Sequence, residues 1–403
     1  MLPRLNDPEN LCAQLSKKEG LALFLADKEW RDSLTVSDLN DADSTGRNAL
    51  MLIAATEQGR ALINEDESFR HKITPQGFCL RIRQRSAVNY FLRSKDGLTI
   101  LARHTGLRGM LLPECLNIIH SDDFLEDYNR APGANEMPRS EAGIEVLEDP
   151  VVRGMLDEQA INKKFMANSM VFHLSKSARG IGLLADEIFQ NKIHVDTINA
   201  ISDHGFASVV LYLCQHEKGR EILAASPQLR RKIRAEAFNA GASRGALPPV
   251  YYLAKALTGL MVLVTSKYLR GLIDADSMNA YARHGEDAGA SLAFWLLSHP
   301  HGREILRSDK RLRDMIEVGT LRALVTAGEH TGACGMDYLL MPENNDLLQM
   351  FSAPIQAAAK EWQVRPWRDV KPTELSGLSL FAREGAVALK PVTLVLDRPC
   401  VIL

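Results

Sequence analysis

The residues best suited to chemistry stand at the C-terminus, where the sequence ends Cys400-Val401-Ile402-Leu403. A cysteine four residues from the end, followed by two aliphatic residues, is the C-a-a-X signal for prenylation, and a final leucine is typical of a geranylgeranyl group. Because the preceding residues LVLDRP are not a polybasic cluster, this lipid supplies one of the two signals that stable anchoring needs. The sequence therefore predicts lipidation of Cys400 by a geranylgeranyl transferase.

Motifs for catalysis are sparse elsewhere in the chain. No G-x-S-x-G nucleophile elbow, Walker loop, H-E-x-x-H helix or G-x-G-x-x-G turn is expected, so we predict no catalytic residues, no metal ligands and no cofactor. The segment His299-Pro300-His301 is interpreted as a surface turn, since no cysteine or carboxylate stands at ligand spacing. Apart from Cys400, the scattered cysteines are expected to be free, buried thiols.

Most of the chain is built from a repeated unit, and the stretch Ser208–Ala240 shows this unit most clearly. In each copy a first helix is followed by a glycine, an apolar pair, an apolar-Arg pair and a closing Asn. The period is about 40 residues. The recurrent glycine is found at Gly20, Gly59, Gly97, Gly143, Gly180, Gly219, Gly259 and Gly302. A ninth, worn copy has Asn344 in its place. Such a period predicts an α-solenoid of about nine degenerate copies, each burying its apolar face against its neighbours.

Apolar residues at helical spacing predict an all-α fold with three short helices in each copy. Serines stand where first helices need N-cap acceptors, and the glycine is expected to supply the turn into the second helix. We predict a solenoid over residues 1–358 and a tail over 359–403. A loop insertion is expected near 120–142, including Tyr128–Ser140, where two prolines accompany Gly and Asn.

Two polar columns recur at equivalent positions of the copies. The first consists of Arg31, Arg70, Arg108, Arg153, Arg230, Arg270 and Arg313, with Gln190 as its exception. The second consists of Asn40, Asn117, Asn162, Asn199, Asn239 and Asn279, with Cys79 and Arg322 as substitutes. Arg230, Arg270 and Arg313 could line a ligand groove, or the Arg column could satisfy carbonyls or carboxylates of the neighbouring copy. The Asn column is interpreted as helix caps or bridges to the next loop.

Composition narrows the class of protein. The 403 residues carry a net charge of −2, and the sequence pI is about 6.6, which argues against a nucleic-acid-binding protein. The longest apolar run, Val250–Val264, is interrupted by Lys255 and is too short to span a bilayer. No apolar stretch typical of a secretory signal peptide is expected at the N-terminus.

The copies resemble ankyrin, armadillo and HEAT repeats. The segment from Gly46-Arg47-Asn48-Ala49-Leu50 to Gly59 is similar to the start of an ankyrin repeat, whereas the period is closer to armadillo and HEAT units. Together with the C-a-a-X ending, the chain resembles repeat-containing bacterial effectors that are delivered into host cells and prenylated there. This resemblance implies a protein partner and a place on the cytosolic face of a eukaryotic membrane. A native eukaryotic peripheral membrane adaptor would have the same features, so the sequence leaves both origins open.

Two hypotheses on function follow. The first is a membrane-anchored, non-enzymatic scaffold whose solenoid groove binds a protein partner. The alternative is an enzyme with an unrecognised active site in the 120–145 region or the tail, which uses the repeats to recruit its substrate. A pocket holding a polar cluster with shifted pKa values would favour the enzyme.

Overall fold

The computed structural model describes residues 8–82, 85–117, 133–163, 169–202 and 207–363. Within these ranges the regular elements are helices, and three isolated β-bridges join Ile82 to Arg85, Ile201 to Ser208 and Tyr281 to Ser291. The all-α fold class is confirmed. The chain divides into two compact bodies, one ending at Asp274 and the other beginning at Ala275, and each is described by itself.

Most sequence copies in the first body hold four short helices, not the three expected. In copies one to three they are Pro8–Leu15, Lys18–Ala26, Lys28–Ser33, Val36–Asn40; Ala49–Ala54, Glu57–Glu65, Glu67–Arg70, Pro75–Cys79; Ala87–Leu92, Lys95–Arg103, Thr105–Arg108, Pro113–Leu116. In copies four and five they are Gly133–Glu136 with the 3-10 turn Met137–Arg139, Glu141–Glu148, Pro150–Met155, Glu158–Asn162; Met170–Leu174, Ala178–Leu183, Glu187–Lys192, Val195–Ile198. In copies six and seven they are Val209–Gln215, Glu217–Ala225, Pro227–Lys232, Ala235–Phe238; Pro249–Lys255, Leu257–Thr265, Lys267–Leu272, with the 3-10 turn Ala242–Arg244 between the copies.

The second body continues the same succession of elements. Its helices are Ala275–Asn279; Leu292–Ser298, Pro300–Ser308, Lys310–Asp314, Val318–Arg322; Gly335–Leu339, Asn345–Gln349 and Ala353–Gln363, with a 3-10 turn at Pro342–Asn344. A copy has a fourth helix because a residue in extended conformation interrupts a segment for which the apolar spacing alone predicts one helix. This residue is also the N-cap of the helix that follows. At Thr74, for example, the side chain accepts a bond from the Gly77 amide, and Pro75 starts the new helix.

The predicted first-helix N-caps are confirmed. The hydroxyls of Ser86, Ser169, Ser208 and Ser291 each accept a hydrogen bond, at 3.0–3.2 Å, from the amide three residues later. Ser226 caps the third helix of its copy in the same way, with Pro227 at the first helical position. Each cap satisfies an amide that would otherwise lack a partner at the helix start.

The recurrent glycine has a different role from the one expected. It lies at the third position inside the second helix and packs this helix against the end of the first. A Cβ atom on Gly180 would lie 2.3 Å from the Leu174 carbonyl oxygen, and one on Gly219 would lie 2.3 Å from the Leu213 oxygen. The glycine is therefore required for close backbone approach, and the prediction that it supplies a turn was wrong.

Asn344 occupies the glycine position of the ninth copy, and there a side-chain hydrogen bond takes the place of the close contact between backbones. Its buried side chain donates a hydrogen bond of 2.7 Å to the carbonyl of Tyr338, six residues earlier. This is the same relative carbonyl that the glycines approach in the other copies. A hydrogen bond therefore replaces the close approach.

The interior of each body consists of apolar residues from all helix positions of the copies. Helices at equivalent positions of neighbouring copies contact one another, as Ala49–Ala54 contacts Ala87–Leu92 and Glu217–Ala225 contacts Leu257–Thr265. The large, fully buried side chains of the first body include Phe24, Phe69, Phe78, Phe91, Phe238 and Tyr251. Each copy thus covers the apolar side chains of the next.

Part of the predicted loop insertion is helical. In Tyr128–Ser140, residues 133–139 form the helix Gly133–Glu136 and a 3-10 turn, which together contact the neighbouring first helices as the first helix of copy four. Met137 and Pro138 are buried there, so Pro138, one of the two prolines that suggested a loop, is accommodated in the first turn of the 3-10 helix. Residues 118–132 lie outside the described ranges.

The Asn column bridges successive copies, as expected. In Asn199, the Nδ2 group donates to the carbonyls of Val195 and Lys232, both at 2.7 Å, and Oδ1 accepts from the Arg234 amide at 2.7 Å. Asn40, Asn162, Asn239 and Asn279 repeat these three bonds. Cys79 reaches the equivalent carbonyl of Met110 at 3.6 Å. The column therefore joins the fourth helix of one copy to the next copy's third-to-fourth-helix turn.

Candidate functional site

The predicted tail begins inside the helix Ala353–Gln363, and the lipidation site lies further along the chain. Cys400 and the rest of residues 364–403 lie outside the described residues. The prenylation of Cys400 stays a prediction.

The Arg column caps the second helices. In the proposed groove residues, Nη1 of Arg230 donates to the carbonyls of Leu223 and Ala224, at 2.6 and 2.8 Å. Arg270 and Arg313 make the same pair of bonds, to the carbonyls seven and six residues earlier. A cation at a helix C-terminus satisfies carbonyls and opposes the helix dipole. These contacts support a structural role for the column, but the carbonyls belong to the arginine's own copy, whereas groups of the neighbouring copy were expected.

Two other arginines of the column also contact a carboxylate of the next copy. Nη2 of Arg153 lies 3.0 Å from Oδ2 of Asp186, and Nε of Arg108 lies 3.5 Å from Asp149. Burial disfavours ionised Asp186, but its bonds with the Phe189 amide and with Arg153 hold the pKa of this carboxyl below its usual value. Arg108 and Arg153 therefore join their own copies to the next through Asp149 and Asp186, which cap third helices.

The exception in the column is compensated locally. Gln190 donates to the Leu184 carbonyl at 2.6 Å and accepts a bond of 2.7 Å from the hydroxyl of Ser226. Ser226 stands where Asp186 stands in the preceding copy, so a neutral Gln–Ser pair replaces the ion pair. A polar surface cavity of about 510 Å³ opens beside this pair, and the Lys218–Glu221 ion pair lies on its wall.

We expect Arg230→Ala to lower the free energy of unfolding by about 1–3 kcal/mol, because two helix-end carbonyls lose their donor. Urea denaturation followed by circular dichroism measures this loss. The matched control is Arg231→Ala, since Arg231 is exposed and adjacent, and it should change stability by less than about 0.5 kcal/mol. Equal effects of the two substitutions would contradict the capping role.

A second set of arginines escaped the sequence analysis. Arg60 donates through Nη1 to the Ala54 carbonyl at 2.9 Å and forms an ion pair with Asp96 of the next copy. Arg220 and Arg303 cap their own first helices in the same way. The signal was present as a repeated Gly-Arg dipeptide, which places the guanidinium next to the glycine that contacts the first-helix end.

The cysteines of the described ranges are confirmed as free and buried. Burial, together with the nearby Asp43 carboxylate, raises the pKa of Cys12 to about 12. Burial likewise raises the pKa of Cys214 well above its usual value. Thiols with raised pKa values hold little thiolate at neutral pH, so these cysteines are poor nucleophiles.

The histidines near residue 300 form a capped turn. His299 accepts a bond from the His301 amide at 3.2 Å, at the start of the helix Pro300–Ser308. Among the described residues, no group of three or more His, Cys, Asp or Glu side chains has the geometry to hold a metal ion.

A possible catalytic sequence was overlooked at Gly241-Ala242-Ser243-Arg244-Gly245, which has the spacing G-x-S-x-G. In a hydrolase this pentapeptide joins a strand to a helix. Here it forms a 3-10 turn between the helices Ala235–Phe238 and Pro249–Lys255, with Gly241 and Gly245 at φ values of 93° and 75°. Because no strand precedes the exposed Ser243, this is a loop between copies and not a nucleophile elbow.

The surface of the first helices carries a further pattern that the sequence analysis missed. We call it the first-helix stripe. Its inner row lies four residues after the first-helix N-cap wherever that cap is described, and is half-buried, and its outer row lies three residues further on, largely exposed. In copies three to seven the inner row is Tyr90, Glu136, His173, Tyr212 and Tyr252, and the outer row is Arg93, Arg139, Lys176, Gln215 and Lys255.

Residues three apart on a helix are neighbours, so each inner residue lies beside its outer partner. Contacts also join adjacent copies along the stripe. The ring centroids of Phe172 and Tyr212 are 5.8 Å apart, and the helices Val209–Gln215 and Pro249–Lys255 contact each other. Burial, with Arg139 and Lys176 nearby, lowers the pKa of His173 to about 4, so this imidazole is neutral at pH 7.

In the second body the inner first-helix positions hold aromatic residues, and the outer positions hold no cation. Trp295 and Tyr338 are its inner residues, and Ser298 and Met341 are its outer ones. The Tyr338 hydroxyl lies 3.0 Å from Nδ1 of His330, whose ring packs edge-on against Trp295. The basic row is therefore a feature of the first body.

Comparisons with known proteins add no identification. A scan of protein-family models, a search of curated proteins and a search of solved structures each returned no match. Over the described residues, every helix is too short or too polar to cross a membrane.

Proposed function

We propose that this chain is a non-enzymatic scaffold that binds a protein partner along an α-solenoid of about nine copies. The observation that carries the proposal is the recurrence of one bonding scheme between neighbouring copies. The three Asn bonds, exemplified by Asn199 with Val195, Lys232 and Arg234, recur at intervals of about one copy. Repeated elements that contact only their neighbours build extended surfaces suited to binding partners.

The proposed place of action is the cytosolic face of a eukaryotic membrane. Geranylgeranyl transferase would modify Cys400, and the lipid would hold the scaffold at the bilayer. One lipid gives reversible binding, so the partner or the protein surface supplies the second contact. The combination of a helical repeat with this ending is that of an effector delivered by a bacterium into host cells.

The lipid anchor is tested with the full chain and a Cys400→Ser variant, both expressed in a eukaryotic cell. The lipid contributes roughly 0.8 kcal/mol for each buried CH₂ group. We therefore expect the unaltered chain to sediment with membranes and the variant to stay in the supernatant. Mass spectrometry of the membrane form should show a prenyl adduct and loss of the last three residues.

The matched control is Cys214→Ser, which removes a thiol that is buried in the fold and leaves the C-terminal motif intact. It should partition like the unaltered chain if it folds, as circular dichroism can establish. Membrane association that persists in Cys400→Ser, or an unmodified mass, would refute the anchor and leave the scaffold proposal to its own test.

A further inference from the structure

We propose that the first-helix stripe of the first body is the docking surface for an extended, acidic segment of a partner protein. The proposal rests on the scaffold function and specifies where on the scaffold the partner binds. It depends on the positions, exposure and charges of the two rows defined above.

The outer row is a line of positive charge. Four of the five copies from the third to the seventh place an exposed cation at the same position: Arg93, Arg139, Lys176 and Lys255. Gln215 keeps the row polar in the sixth copy. Glu136, the one acidic residue of the inner row, lies 3.4 Å from Arg139. Because the chain as a whole carries a net charge of −2, this clustering of cations is local and does not reflect a basic protein.

The cations influence one another and their surroundings. Burial and the charge of Arg139 lower the pKa of Lys176, whose ammonium lies 4.7 Å from the centre of the Phe172 ring. The same two cations keep the neighbouring His173 neutral, after the larger effect of burial. A bound carboxylate would relieve this repulsion, since opposite charges at such distances favour the charged forms.

The inner row offers a bound segment apolar contact area, which a row of charged side chains alone does not provide. Tyr90, Tyr212 and Tyr252 are half-buried, so each exposes part of an aromatic ring beside the cation row. Tyrosine is enriched at protein interfaces because its ring is large and rigid and its hydroxyl can hydrogen-bond. Rings and cations in parallel rows therefore suit a polypeptide with both apolar and acidic side chains.

The spacing of the copies sets the length of the bound segment. Packed helices lie about 8–10 Å apart, and an extended chain rises about 3.3 Å per residue. One copy therefore corresponds to about three residues of the partner, and the five copies of the stripe to about 15 residues. A segment with one acidic residue in every three would match the outer row.

The test uses the full chain with Cys400→Ser, so that no lipid contributes, and a fluorescein-labelled peptide of five Glu-Ser-Phe units. Fluorescence anisotropy at low salt should show binding that weakens as salt is raised, because exposed charges are screened. A peptide of five Lys-Ser-Phe units should not bind. Charge reversal at three outer-row positions, Arg93→Glu, Lys176→Glu and Lys255→Glu, should weaken binding at least about tenfold.

The matched control reverses three exposed cations away from the stripe, Lys18→Glu, Lys218→Glu and Lys267→Glu, and so has the same net charge. It should weaken binding less than about threefold. Thermal melts of both variants should stay near that of the parent, because all six side chains are exposed. Equal weakening in the two variants would overturn the proposal, since it would indicate bulk charge alone.

The same variants test whether the stripe binds a membrane or an RNA. Two other ligands replace the peptide in turn: vesicles that contain phosphatidylserine, and polyuridylate. Stripe-dependent binding to either one, without stripe-dependent binding of the peptide, would overturn the assignment to a protein segment. If the peptide binds as expected but Cys400→Ser leaves membrane partition unchanged, the docking surface stands and the lipid anchor falls. Failure of the peptide to bind, together with membrane partition that persists in Cys400→Ser, would overturn both the docking surface and the lipid anchor.

Discussion

Gly180→Ala should destabilise the protein although alanine is the better helix former. Gly180 lies inside the helix Ala178–Leu183, and its added Cβ would come within 2.3 Å of the Leu174 carbonyl oxygen. The two helices must separate to relieve this contact, and such overpacking costs about 1–3 kcal/mol. This cost exceeds the propensity gained by replacing glycine. Urea denaturation should show the loss as a lower midpoint.

The same helix contains the matched control. Gly182 lies two residues later, and nothing would stand within 4 Å of its added Cβ. Gly182→Ala should therefore stabilise the protein by roughly 0.5–1 kcal/mol, the propensity difference between the two residues. If the two substitutions change the free energy of unfolding in opposite directions, the effect of the close contact at Gly180 is distinguished from the effect of helix propensity. If both substitutions raised stability, the recurrent glycine would have no packing role.

This glycine shows how far the sequence alone could reach. Its recurrence at intervals of about 40 residues located the first eight copies, because a repeated residue at a nearly constant spacing needs no knowledge of geometry. Its role was not predictable in the same way. A glycine after an apolar run is equally compatible with a left-handed turn, which needs a positive φ, and with a close contact to another backbone atom. The sequence does not distinguish the two. The carbonyl of Leu174 becomes a neighbour only after the first helix has folded back.

The helix count was wrong for a related reason. Apolar periodicity reports which residues face the core, and it continues across a sharp turn when both sides face the same core. The breaks are set by single caps such as Thr74, whose hydroxyl accepts the Gly77 amide. In copy four the opposite error was made, because Pro138, which suggested a loop, lies in the first turn of a buried 3-10 helix.

The polar columns were recognised but only partly explained. A repeated Asn near a helix end has few uses, so bridging was predictable from residue type. A repeated Arg admits both a structural and a ligand-binding use, and Arg230 needed the positions of the Leu223 and Ala224 carbonyls to decide between them. The first-helix stripe was missed because Tyr90, Glu136 and His173 share a position but no common residue type.

Asn199→Ala should lower stability by about 2–3 kcal/mol. The side chain makes three hydrogen bonds, and its loss leaves the carbonyls of Val195 and Lys232 and the amide of Arg234 without this partner. Two of these bonds cross from the fifth copy to the sixth, so the substitution weakens an interface between copies. Because a repeat array unfolds cooperatively only through such interfaces, the urea transition should also broaden.

Asn191→Ala is the matched control, since Asn191 lies in the same copy and is exposed in the helix Glu187–Lys192. It should change stability by less than about 0.5 kcal/mol, because a surface substitution removes no buried partner. Hydrogen exchange locates the effect: in Asn199→Ala, amides on both sides of the junction, in residues 187–198 and 227–238, should exchange faster. Faster exchange confined to the fifth copy would mean that Asn199 caps its own helix and does not couple the copies.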